Sequence, residues 1–216
     1  MAISGIPILP VQDTSANGFV AQRLIEELSQ TFLAGTPVEL TAADGGVKAW
    51  DGTTGTAFVF GSASIGGIVG FSYEAASNLS ATGSGAPSPQ QPFTGVGAVA
   101  GTFGSVPNQT SAKNIAHGAP INDGRVGFIL AGPQVVWSAV FGNNGNTATP
   151  AATDVGKEYG LTIDSNSKYW YVDKNKSTVG TNTVLRVVGL DLRDVPAAGS
   201  RVLFVLDSRF TQFLGI

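Results

Sequence analysis

The chain reads as an all-β protein: a compact β-barrel or sandwich body with an extended N-terminal arm, at most one short helix, and a long Gly/Ser/Pro-rich insertion. Three observations predict this. Apolar residues recur with period two in at least five separate segments, the spacing of strands that bury one face. The 216 residues include 29 Gly and 11 Pro, and many of these sit between the apolar runs, where turns are required. The charged share is 12%, about half the ~25% of an ordinary soluble domain, so much of the surface is expected to be covered by other subunits or hydrated by Ser, Thr and Asn.

Taken in order, residues 1–36 form the N-terminal arm and the segment leading into the body, and 37–216 form a barrel-like body interrupted by an insertion at 76–121. In the arm, Ile3, Ile6, Ile8 and Leu9 stand among Gly5, Pro7 and Pro10. A free tail would waste them, so they pack either on this chain's own body or on a neighbour. From Phe19 to Phe32 the spacing of Val20, Leu24, Ile25, Leu28 and Phe32 predicts the one helix, with Ser15 or Asn17 as its cap. Val38 and Leu40 then alternate with Glu39 and Thr41, and Val47 and Ala49 with Lys48 and Trp50. The turn residues Asp44-Gly45-Gly46 between them make this a hairpin signal. Phe58–Phe60 is a short apolar run, and Val69, Phe71 and Tyr73 alternate with Gly70, Ser72 and Glu74.

Residues 76–121 hold no period. Lys113 is their only formal charge, and they contain 7 Gly, 5 Pro and 10 Ser or Thr. Phe93 and Phe103 within them are unusual for a solvated linker, which points to an insertion ordered against a partner. Strand patterning resumes at Val126, Phe128 and Leu130, and again at Val135, Trp137, Ala139 and Phe141, ending in Asn143-Asn144-Gly145-Asn146. Trp170 and Val172 alternate with Tyr169, Tyr171 and Asp173. Val188, Leu190 and Leu192 alternate with Gly189, Asp191 and Arg193, and Val202–Leu206 is apolar throughout, as expected of a strand covered on both faces.

The chemistry-bearing residues are sparse. With no Cys there is no disulfide, thiolate zinc site or cysteine nucleophile. The single His117 cannot build a multi-histidine metal site, and a triad with Ser111 and Asp123 lacks any nucleophile-elbow pattern. Asp164-Ser165-Asn166-Ser167-Lys168 opens like a calcium loop, but Lys168 stands where an oxygen ligand is needed and no closing Glu follows. Asp164 and Asp173 are more simply turn-formers. Glu26-Glu27 and Asp191 with Asp194 are acid/base pairs only if they share a cleft. Lys168-Tyr169-Trp170-Tyr171 could offer two tyrosines as a stacking platform for single-stranded bases. A net charge of −3 argues against a general grip on nucleic acid. Met1–Val11 has no basic residue ahead of its apolar ones, and Val126–Gly142 is broken by Pro133 and Gln134, so neither an export signal nor a membrane span is expected. No catalytic residue, metal or cofactor is assigned.

Gln30-Thr31-Phe32-Leu33-Ala34-Gly35-Thr36-Pro37-Val38, then Gly46-Val47-Lys48, then Val69-Gly70-Phe71-Ser72-Tyr73-Glu74-Ala75-Ala76, resemble the opening half of tailed-phage capsid cement, or head decoration, proteins. The stretch from Asp154-Val155-Gly156-Lys157-Glu158-Tyr159-Gly160 through Trp170-Tyr171-Val172-Asp173 to Val202-Leu203-Phe204-Val205 is similar to their closing part. The resemblance spans 37–75 and 126–216. It implies a β-barrel-like body, a homotrimer or similar cluster, attachment to the major capsid protein on the outside of an icosahedral head, and no catalysis or small-molecule substrate. It also implies extended backbone ahead of Gln30-Thr31-Phe32, against the helix that the periodicity predicts. Such a protein is made in the host cytoplasm and resides in the virion. The contact residues expected from the sequence are Ile3, Ile6, Ile8, Leu9, Phe93 and Phe103. Competing readings are a tail, fibre or receptor-binding subunit, and a β-rich hydrolase or carbohydrate-binding module.

Overall fold

The computed structural model describes residues 3, 5–14, 18–25, 31–40, 47–52, 67–74, 76–77, 125–177, 183–193 and 197–211. Phe58–Phe60, nearly all of the insertion with Phe93, Phe103, Ser111 and His117, and the residues Glu26, Glu27, Asp123 and Asp194 lie outside these.

The described chain is all-β, as its patterning predicts. The strands are β1 (Leu9–Asp13), β2 (Ala21–Ile25), β3 (Thr31–Phe32), β4 (Pro37–Leu40), β5 (Val47–Ala49), β6 (Gly70–Ser72) and β7 (Ala76–Ser77). They continue with β8 (Arg125–Leu130), β9 (Val135–Asn143), β10 (Asn146–Thr147), β11 (Glu158–Ile163), β12 (Trp170–Asp173), β13 (Leu185–Leu190) and β14 (Arg201–Leu206). Two single 3-10 turns, Ala152–Asp154 and Ser208–Phe210, are the only helical segments among the described residues.

Five strands close a barrel in the ring order β9-β12-β11-β13-β14, with β14 returning to β9. All of its contacts are antiparallel except β12 with β9. Trp137, Ala139 and Phe141 of β9 join Leu161, Val172, Leu185, Val187, Val202 and Phe204 in the main core. Closure removes exposed edges from these strands. The β9–β10 hairpin turns at Asn144 (φ 48°) and Gly145 (φ 80°), the two left-handed positions that a two-residue hairpin turn demands.

A second antiparallel sheet has the order β2-β8-β6-β4-β5, and β3 pairs with β7 as a two-residue ribbon. The predicted 38–49 hairpin is present, with Val38 opposite Ala49, Glu39 opposite Lys48 and Leu40 opposite Val47. One set of its residues builds a core of its own around Val38, Val47, Val69, Val126 and Phe128. Trp50, Ile68, Phe71 and Ala131 instead join the core of the barrel. Phe71 is the joint: its ring centroid lies 4.5 Å from that of Trp137 and 6.2 Å from that of Phe204.

Three expectations are corrected here. The helix at Phe19–Phe32 is absent where the chain is described: Ala21–Ile25 is extended and pairs with β8 from Ala21↔Ile129 to Ile25↔Arg125, and Thr31–Phe32 is again strand. A short amphipathic run has little helical stability of its own, and five ladder pairs override it. The alternation at Val188–Arg193 holds only at Leu190, which packs on the main core. Val188 and Leu192 face out, Val188 as the extra residue of a bulge between Val187 and Gly189 and Leu192 beyond the end of β13. The tyrosine platform is dismantled as well, since Tyr171 is buried with Ile3 and Val140.

Candidate functional site

The N-terminal arm resolves into two sets of side chains. Ile3 and Ile8 are 4% and 2% exposed; Ile3 packs on Val140 and Tyr171, and Ile8 enters the main core. Of the two places the sequence allows these residues, the structure gives this chain's own body. Ile6 and Leu9 are 37% and 44% exposed, and Val11 beside them, which the sequence reading missed, is also open. Phe93 and Phe103 lie outside the described residues.

Backbone pairing fixes this arrangement. β1 runs antiparallel to β9, with Leu9 opposite Ser138 and Asp13 opposite Val135, and a bulge at Val11. Because Trp137 and Ser138 also pair with β14, β1 and β14 must hold opposite edges of β9. β1 therefore extends the sheet along the edge of β9 opposite β14, while Ile3 ahead of it packs on Val140 and Tyr171. Arg201 clamps it: its guanidinium donates to the Pro7 carbonyl at 3.1 Å, to the Ser138 carbonyl at 2.6 Å and to Ser138 Oγ at 2.7 Å. Among the described strands β1 is paired along one edge only. Proline at position 10 removes a donor and the bulge twists the strand, two devices that discourage further strand addition. What the arm offers outward is Ile6, Leu9 and Val11, with Gln12 exposed beside them.

The buried Ser138, Asp154, Asp164, Asp173 and Asp191 are engaged within the chain. Ser138 Oγ donates to Asp191 at 2.7 Å while accepting from Arg201, and Ser138 is fully buried. A hydroxyl that already accepts from a guanidinium and is sealed from solvent is a structural strut. The bidentate Arg193 guanidinium, against the penalty of burial and with help from Ser138, holds Asp191 well below the usual carboxylate range. Burial alone would raise Asp154, but donors from Tyr159 at 2.7 Å and the Ala151 N–H at 2.9 Å, with Lys174 nearby, keep it low. Asp164 accepts from the N–H groups of Asn166 and Ser167, and Asp173 from those of Asn144 and Asn175. Both act as the turn-formers the sequence suggests.

The residues of the resembling motifs are also structural. Ser72 bonds the Leu33 carbonyl and the Thr36 N–H, and Glu74 accepts from the Gly127 N–H and pairs with Arg23 at 3.0 Å.

A cavity of about 470 Å³ opens where the second sheet meets the β11–β12 end of the barrel, lined by Phe32, Leu33, Thr36, Ala49, Trp50, Asp51, Ile163, Lys168 and Trp170. Its residues come from three separate stretches of chain, and neither period nor motif in the sequence announces it.

No family model matches this chain, and no significant relative is found among curated proteins. What the fold itself defines is a class, an all-β protein in which a closed barrel shares its core with an antiparallel sheet.

Proposed function

We propose that the protein is a non-enzymatic virion structural protein that decorates and stabilises the outside of a phage capsid. It binds between capsomers of the major capsid protein as a self-assembled cluster, a homotrimer in the simplest case. The observation that carries this reading is the division of labour in the arm. Ile3 and Ile8 are locked into the body, while Leu9 and Val11 on β1 and Ile6 ahead of it are held outward on either side of the Pro7 carbonyl that Arg201 clamps. A rigid apolar strip of this kind loses little entropy on docking, and repetition over a symmetric shell multiplies weak contacts into large avidity. The low charge of residues 1–150, with 4 Lys or Arg and 8 Asp or Glu, suits a surface covered in assembly. The absence of enzymatic activity is part of the proposal, supported by the engagement of Ser138, Asp154 and Asp191 within the fold.

The test is addition of purified protein to undecorated heads, read by co-sedimentation, together with sedimentation equilibrium of the free protein. Saturable binding that is lost in Leu9→Ser/Val11→Ser, with an unchanged melting temperature, is the expected result. A protein that never co-sediments with heads overturns the capsid reading, and a monomer at all concentrations overturns the trimer.

A further inference from the structure

We infer that the cavity between the second sheet and the barrel is a binding site for a small apolar molecule carrying one carboxylate, bound and not turned over. The inference is independent of the capsid reading. The volume of about 470 Å³ falls within the range of sites for small ligands, and the lining has their composition: a mainly apolar wall with a few polar groups. Trp50 and Trp170 lie 5.4 Å apart between ring centroids and tilted by 35°, with Phe32 beside them. An aromatic wall favours a flat aromatic ligand, which gains offset or edge contacts beyond simple burial. Both indoles are more than nine-tenths buried, and neither N–H finds an acceptor among the described residues. Unpaired buried donors are uncommon in a finished fold. Ile163, 46% exposed, also lines the cavity, adding open apolar surface.

The charge of the ligand follows from the two ionisable residues of the lining. Asp51 already has an interaction partner of its own. Lys168 is exposed, and among the described residues no carboxylate lies within ion-pair distance of it. Asp164 feels its charge but is itself buried and occupied by the N–H groups of Asn166 and Ser167. Lys168 is held at φ 62°, a backbone conformation rare for a long side chain, and its N–H is tied to the Asp164 carbonyl at 3.0 Å. The loop thus fixes the root of a cationic side chain beside an aromatic cavity, and a carboxylate is the group that pairs with it.

The experiment is isothermal titration calorimetry of the full chain with 2-naphthoate and with its neutral analogue 2-naphthylmethanol, backed by tryptophan fluorescence. Naphthoate is expected to bind with a Kd below about 1 mM, the range open to a ligand of this size. Lys168→Gln should weaken naphthoate about fivefold to tenfold, the loss of one charge-assisted contact, and leave the alcohol unchanged. Ile163→Trp, on an exposed position that tolerates replacement, should block both, with the melting temperature as the control for folding. Absence of saturable naphthoate binding up to about 10 mM, well beyond that range, overturns the proposal. So does an equal loss of both ligands in Lys168→Gln, or full binding in Ile163→Trp. A cavity that takes neither ligand while Ile163→Trp abolishes self-association would belong to a protein side chain, and the small-molecule site would be wrong.

Discussion

Gly35 turns at φ 82° directly beneath the arm, and a Cβ built there would lie 2.7 Å from Pro7 Cβ and 2.8 Å from Pro7 Cα. The glycine of the Gln30–Val38 motif is therefore a packing requirement twice over, once for its backbone and once for its missing side chain. Gly35→Ala is expected to lower stability by ~3 kcal/mol, measured by urea denaturation; a loss within experimental error would mean that the arm lifts away freely. A second residue-scale prediction concerns acid. The Arg193 guanidinium and the Ser138 hydroxyl depress the Asp191 carboxyl in the folded state, so the unfolded chain takes up its proton first as pH falls. The stability contributed by Asp191 is complete above its unfolded pKa of about 3.9 and is lost as pH drops below it toward the folded value. Asp154, Asp164 and Asp207 shift in the same direction. Melting temperature should fall steeply below about pH 4, and Asp191→Asn, though less stable at neutral pH, should show a shallower acid limb. A parallel limb in the mutant would remove Asp191 from the account.

β1 is the element whose role changes most between sequence and structure. As an appendage for a neighbour, it could be deleted without harm. As a strand paired with β9, carrying Ile8 into the core and followed by the Thr14 N–H bond to Gln134, it is part of the body. Removing residues 3–13 takes away two buried isoleucines and is expected to cost at least ~4 kcal/mol, seen as a large fall in melting temperature. The outward Leu9→Ser/Val11→Ser change should move stability by no more than ~0.5 kcal/mol, so the two variants separate folding from binding. Local signals explain which elements could be read in advance. The 38–49 hairpin declares itself because Val38, Val47 and Ala49 alternate across a glycine turn, and β9 because Trp137, Ala139 and Phe141 do. β2 could not be read: the spacing of Val20, Leu24 and Ile25 is equally helical, and the strand exists only because β8, a hundred residues away in sequence, pairs with it. The outward Val188 of β13 was hidden by the bulge before Gly189, and the cavity by the distance in sequence between Phe32, Trp50 and the β11–β12 hairpin. In the arm the sequence told apolar from polar, but inside from outside depends on the register with β9.

Taken whole, the described barrel and second sheet stand or fall together, because Trp50, Ile68, Phe71 and Ala131 sit in the core of the barrel and the Ile68 N–H bonds the Phe210 carbonyl at 2.7 Å. Thermal unfolding should be one cooperative transition by near- and far-ultraviolet circular dichroism alike, and Phe71→Ala should shift both signals by the equivalent of ~3–5 kcal/mol. Two separated transitions would show that the shared core does not couple them. The clamp of Arg201 on Pro7 also sets the order of events in time. These partners are 194 residues apart, and Thr14 waits for Gln134 across 120 residues. A fold closed by such distant contacts pays loop entropy before they form, and folds in milliseconds to seconds. While the ribosome is still producing the second half of the chain, Ile3, Ile8 and Leu9 are already out of the exit tunnel with no strand to receive them. Nascent molecules therefore carry an exposed apolar segment until β9 and β14 are made, and their yield depends on what shields that segment until then.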